Sequence, residues 1–230
     1  MTQAKKASHQ IQAEGVVRQV TFPFPAIIGY TDAKRALLML AVDRELRGLL
    51  ISSRRGSDVS IVARSFAALI TEVDSNTNGS INGDSPDSKV AQGIVELPIH
   101  ISDDGLLGSL DLERTIDSGK RHFSKGILAK SNGRVLYVND INLLEVDACG
   151  HLADALVRRC ICIEREGVSA LHEADFTLIG TFNPDEGEPA ALLRDRIGLI
   201  VDLEAKTGDD QSVEIIERAL GFDDARNERL

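Results

Sequence analysis

The chain has 230 residues, 36 acids against 26 bases and a net charge of −10. With 43% hydrophobic residues it can bury a core, which excludes wholesale disorder. The acidic balance argues against nucleic acid or an anionic membrane surface as the main partner, since the densest basic clusters are only Arg54-Arg55 and Lys120-Arg121.

Residues 1–21 read as a polar, flexible lead-in without the apolar stretch of a secretory signal. The prolines of FPFP at 22–25 predict extended chain. Thr31 or Asp32 is placed to cap a helix running to about residue 43, with Ala36, Leu37, Leu40 and Ala41 on one face. The apolar run 48–51 reads as a buried parallel strand. A polar turn over 52–57 leads into a helix over 59–70, apolar at Val59, Val62, Ala63, Phe66, Ala67 and Ile70. Residues 74–93 carry only Ile81, Val90 and Ala91 as apolar side chains and read as a flexible insertion.

Strand signals resume at 94–99. A helix is expected over 111–118, a strand over 134–138 and a helix over 143–159. Segments 160–165 and 169–171 flank Glu166-Gly167 and predict a hairpin. Strands follow at 176–181 and 199–203, and a helix at 211–220. Strands alternating with helices predict an α/β fold with a mostly parallel sheet. Ligands in such sheets sit beyond the carboxyl ends of the strands, which directs attention to the loops after Ile51, Val138 and Thr181.

The first of these loops lies where a phosphate-binding loop would lie. Its pattern, G-x-x-x-x-G-K-[ST], wraps phosphates with backbone N–H groups, reaches them with the lysine and holds Mg²⁺ with the hydroxyl. The same register here is Ser53, Arg54, Arg55, Gly56, Ser57, Asp58, Val59 and Ser60, and only Ser60 keeps its defining residue type. Asp58 puts a negative charge where anions would enter, and Val59 removes the cation. The second strand ends at Asn139 and Asp140, where an acidic pair would hold the Mg²⁺ shell and orient the attacking water. Asn139 keeps the shape without the charge, and Asp140 is one methylene shorter than glutamate. The third ends at Asn183, an amide where a γ-phosphate sensor would stand.

In that order these features resemble the AAA+ module of the magnesium chelatase I and D subunits, proteins that insert Mg²⁺ into protoporphyrin IX in chlorophyll and bacteriochlorophyll synthesis. The resemblance covers about residues 22–222. It rests most on FPFPAIIG at 22–29, LGSLDLE at 107–113, LYVNDINLL at 136–144, EREGVS at 164–169, NPDEGE at 183–188 and LRDRIG at 193–198. It implies a P-loop NTPase-like, three-layer AAA+ sandwich with a β-hairpin before the sensor strand. The large α/β domain would span 22–207, and 208–230 would begin a helical lid that stops short at Leu230.

The departures at 53–60 and 139–140 resemble the D subunit, whose AAA+ domain is a platform for the I-subunit ring. The resemblance then implies no bound cofactor, with ATP-Mg belonging to the partner I subunit. The I subunit and the porphyrin-binding H subunit are the implied partners, in a hetero-oligomer or ring. Arg196 aligns with the family's arginine finger, which acts on a neighbour's nucleotide, and Asp195 would orient it. The alternatives are an ATP-hydrolysing I-type subunit, with Arg54 or Arg55 replacing the lysine, and a degenerate AAA+ module of another complex.

The three cysteines, Cys149, Cys160 and Cys162, are an odd number, which points to a reducing compartment: the cytoplasm, or the stroma in a plant or alga. Cys160 and Cys162 read as apolar filler on a strand. His100, His122, His151 and His172 are scattered, without paired spacing, so no metal site is expected. Asp103-Asp104 and Asp223-Asp224 read as solvated or helix-end charges.

Overall fold

The computed structural model describes residues 22–54, 59–77, 93–111, 115–116, 119, 122–165, 168–203, 215, 217–218 and 220–222. Five parallel strands form the main sheet: β1 (Gly48–Ser53), β2 (Ile94–Glu96), β5 (Val135–Val138), β8 (Thr177–Phe182) and β9 (Leu199–Leu203), in the spatial order β2-β5-β8-β1-β9. Two antiparallel hairpins stand apart from it, β3 (Gly108–Asp111) with β4 (His122–Lys125) and β6 (Cys160–Arg165) with β7 (Val168–Glu173). The second is the hairpin read from Glu166-Gly167, and it precedes β8 as expected.

The sheet is covered on both faces, so its central strands are continuous apolar runs rather than alternating ones. Helices α1 (Thr31–Val42) and α2 (Val59–Thr77) cover one face, packing Leu37, Leu40, Val62 and Phe66 on Leu49, Ile51, Tyr137 and Ile179. The short α3 (Asp103–Leu107) and α4 (Ile127–Lys130), the longer α5 (Val146–Arg158) and the single turn α6 (Ala191–Arg194) belong to the other core, where Leu106, Leu128, Leu152, Leu156 and Leu193 meet Leu50, Leu136 and Leu178. Each fully buried leucine contributes about 1.5–3 kcal/mol of transfer free energy. Gly48 is required where β1 meets β8: a Cβ there would lie 2.6 Å from the Leu178 carbonyl oxygen.

Several local expectations are corrected. Neither Thr31 nor Asp32 caps α1: the N-cap position is Tyr30, left-handed at φ 51° after Gly29 at φ 75°, and it makes no side-chain cap bond. Asp32 instead lies in the first turn and pairs with Arg35 at 3.6 Å. Pro23 is extended, but Phe24–Ala26 closes a 3₁₀ turn. Helix α2 runs on to Thr77, so 74–77 are helical, and 78–92 lie outside the described residues. Strand β2 ends at Glu96. Leu97 still donates to the Tyr137 carbonyl at 2.8 Å, but Pro98 has no N–H to continue the ladder.

Asp111 ends β3, and of the helix expected over 111–118 only 115–116 are helical among the described residues. The helix expected from 143 begins at Val146, after a 3₁₀ turn at Ile141–Leu143. Of the last helix, 215, 217–218 and 220–222 are helical, and 211–214 lie outside the described residues. Cys162 is not filler: Ile161 and Ile163 face the core, and alternation turns Cys162 to the exposed side. Asp103 and Asp104 occupy the exposed first turn of α3, where the helix dipole favours acids, as expected. Asp223 and Asp224 lie outside the described residues.

At the amino ends of the strands a four-residue charge network ties three connections together. Arg47 contacts Asp175 and Glu45, each at 3.2 Å, and Arg159 pairs with Glu45 and, at 3.9 Å, with Asp175. Arg47 and Arg159 are both left-handed (φ 65° and 56°), and their carbonyls accept from Leu178 and Ala174. The hydrogen bond and charge of Arg159, then the charge of Arg47, hold the Glu45 carboxyl below the usual glutamate range.

Candidate functional site

The sequence-predicted loops gather at the opposite, carboxyl end of the sheet. Register pairs Ile51 with Thr181 and Tyr137 with Ile179. The period of two therefore places Ser53, Asn139 and Asn183 at the ends of three neighbouring strands, on the face covered by α1 and α2. Ser53 is the last residue of β1, and Arg54 follows it with an exposed guanidinium 3.8 Å from Asp185. Arg55, Gly56, Ser57 and Asp58 lie outside the described residues. Val59 opens α2 with its side chain buried in the apolar core at 3% exposure, and Ser60 is half-buried beside it.

Asn139 and Asp140 sit in a polar network. The Asn139 Oδ1 accepts from the Thr181 hydroxyl at 2.9 Å and from the Tyr137 phenol at 3.3 Å, and its Nδ2 donates to Asp140 Oδ2 at 2.7 Å. The Asp140 backbone N–H donates to Thr181 Oγ1 at 3.4 Å. Asp140 is left-handed at φ 53°, a conformation aspartate tolerates, and opens the 3₁₀ turn at Ile141–Leu143. Gly180 makes room for that turn: a Cβ there would meet Ile141 Cδ1 at 2.8 Å. Burial, the largest cause, raises the Tyr137 phenol above the ordinary tyrosine range, so it stays a neutral donor at neutral pH.

Asn183 is 7% exposed, and its Oδ1 accepts from the Asp185 N–H at 3.2 Å, capping a 3₁₀ turn at Pro184–Glu186. Beyond it a cleft of about 700 Å³ opens on the other face of the sheet, bordered by Leu50, Phe182, Arg194 and Ile200 among others. Arg194 pairs with Glu188 at 3.5 Å. Asp195 and Arg196 are exposed in the turn between α6 and β9. No ion pair joins Asp195 to Arg196 among the described residues.

The structure thus brings Ser53, Asn139, Asp140 and Asn183 to one end of the sheet. Sequence reasoning missed Tyr137 and Thr181. Their signal was present: each is a hydroxyl-bearing residue in a mostly apolar strand, two residues before a singled-out amide and so on its face. Among the described residues no group of three or more His, Cys, Asp or Glu could hold a metal ion, and no helix is long and apolar enough to cross a membrane. The Nε2 of His172 is buried, without a hydrogen-bond partner among the described residues.

A parallel five-stranded sheet in this order, sandwiched between helices and carrying polar residues at the carboxyl ends of β1, β5 and β8, defines an α/β module of the P-loop AAA+ class. No protein-family model matches the chain. It is 41% identical over 178 residues to the magnesium-chelatase 67 kDa subunit of Chlorobaculum parvum, covering 77% of this chain and 26% of that protein. It is 34% identical over 227 residues to the magnesium-chelatase 38 kDa subunit of Rhodobacter capsulatus, covering 93% of this chain and 65% of that protein. Among solved structures it matches a chain from the complex between subunits BchI and BchD of magnesium chelatase, with a TM-score of 0.68, 34% identity, and coverage of 86% of this chain and 66% of that one. The chain belongs to the magnesium-chelatase AAA+ family. It spans about a quarter of its 67 kDa relatives and somewhat under two thirds of the 38 kDa one.

Proposed function

We propose that the chain is a non-hydrolysing AAA+ platform domain of a magnesium chelatase, one that assembles with an I-type ATPase ring and offers Arg196 to a neighbour's nucleotide. The observation that carries this reading is Val59. It stands where the phosphate-binding lysine would stand, and its side chain lies in the core under α2 rather than at the mouth of the strands. A site without that cation lacks its principal contact to the β and γ phosphates. Arg54 lies 3.8 Å from Asp185 in an exposed and therefore weak pair. The exposure of Arg196 suits a finger acting in trans. Mg²⁺ insertion into porphyrin, and company with the I and H subunits, are part of the same proposal.

The test is an ATP-Mg titration and turnover assay of the chain alone, then mixed with an I-type ATPase. The chain alone is expected to give no turnover. Stimulation of the partner should fall by about 10³-fold in Arg196→Ala, the lower end of what arginine fingers supply. Turnover by the chain alone, above a control lacking Asn139 and Asp140, defeats the reading.

A further inference from the structure

The hydrogen-bond directions around Asn139 follow from Asp140, whose carboxylate can only accept and lies 2.7 Å from the amide. The Thr181 hydroxyl accepts from the Asp140 N–H and donates its one proton to Asn139 Oδ1. The Tyr137 phenol, kept neutral by burial, gives its one proton to the same oxygen. The amide turns its NH₂ toward that carboxylate and its Oδ1 toward the two hydroxyls. The flipped amide would place two oxygens 2.7 Å apart with no proton between them. Thr181 is 5% exposed and Tyr137 is 4% exposed, so both donors are held by the packed strands, while Asn139 itself reaches solvent.

We infer that Tyr137 and Thr181 are positioning residues that hold the Asn139 amide against the Asp140 carboxylate and so close the end of β5 to a divalent cation. The inference rests on the platform reading, and it places a second block to hydrolysis at β5, independent of Val59. It also says what a single-atom change would do. In Asn139→Asp, one carboxylate oxygen would keep the two hydroxyl donors, while the other would face Asp140 Oδ2 where the NH₂ now lies. Two carboxylates at that distance require a shared proton or a cation between them. The same two hydroxyls that close the natural site would then orient a cation ligand.

The measurement is Mn²⁺ binding to the full chain, by calorimetry and by electron paramagnetic resonance, without nucleotide. Asn139→Asp is expected to bind Mn²⁺ at least about tenfold more tightly than the natural chain, the scale of one charge-assisted contact. In that background Tyr137→Phe and Thr181→Val should each return the affinity toward the natural value, and Thr181→Ser should retain it. Tyr137→Phe keeps the packed ring, so it decides the question if Thr181→Val loses its fold. Equal Mn²⁺ affinity in the natural chain and Asn139→Asp overturns the closure. An affinity indifferent to Tyr137→Phe overturns the positioning role. Because no ATP is present, turnover by the chain would defeat the platform reading without deciding this result.

Discussion

The two ends of the central sheet solve the same task with opposite chemistry. Both must tie together connections that leave parallel strands with unpaired backbone. At the amino end the ties are charges: Glu45, Arg47, Arg159 and Asp175. At the carboxyl end the close ties are hydroxyls and amides, Tyr137, Asn139 and Thr181 around Asp140 and Asn183 within its own turn, and the ion pair between connections, Arg54–Asp185, is a looser 3.8 Å contact. Exposure explains the difference. Glu45 and Asp175 are 70% and 52% exposed, so water solvates their carboxylates and the pairs cost little to form. Thr181, Tyr137 and Asn183 are buried, where an unpaired charge would be expensive and neutral partners suffice. The charged end is open to salt and acid, and the neutral end is sensitive to the loss of any one partner.

The sharpest way to break that contrast is Thr181→Val. It preserves volume but strands the Asp140 N–H and removes the buried Thr181 donor to Asn139, so denaturant unfolding should show a loss of about 2 kcal/mol, insensitive to salt. Arg47→Ala should follow, at about 1–2 kcal/mol, because its side chain is only 16% exposed and packs as well as pairs. A larger loss from Arg47→Ala than from Thr181→Val would reverse the ranking of the two ends.

Glu45→Gln should have the smallest effect. The Glu45 carboxyl is held below its ordinary value of 4.5, so the stability it contributes is present above that pH and fades as pH falls through the lowered folded value. The variant's difference from the natural chain should therefore shrink under acid. It should also shrink at about 1 M salt, where the screening length is ~3 Å. A Glu45→Gln effect that persists in both conditions would show that this end is held by more than charge.

The local record of the chain predicts the parallel sheet well because its signal is strong and short-range. Runs such as 48–51 and 199–203 are apolar enough to be buried strands, and Glu166-Gly167 admits a tight hairpin. It also identifies Ser53, Asn139, Asp140 and Asn183 as strand-end residues, since position after an apolar run is a one-dimensional property. Where prediction failed, longer-range contacts decided. LGSLDLE could not declare itself a strand, because β3 exists only by pairing with β4 across eleven positions. Cys162 could not declare its exposure, because which side of β6 faces the core depends on what packs there.

The sequence by itself determined the fold class, the family and the absence of a lysine before Ser60, all readable from residue type and order. Only the tertiary structure decided that Val59 turns into the core, and that Thr181, forty-two positions away, reaches Asn139. The physical reason is that hydrogen-bond partners on neighbouring parallel strands are set by register and crossover. Those are properties of the packed sheet, and they leave no mark on the spacing of residues along the chain.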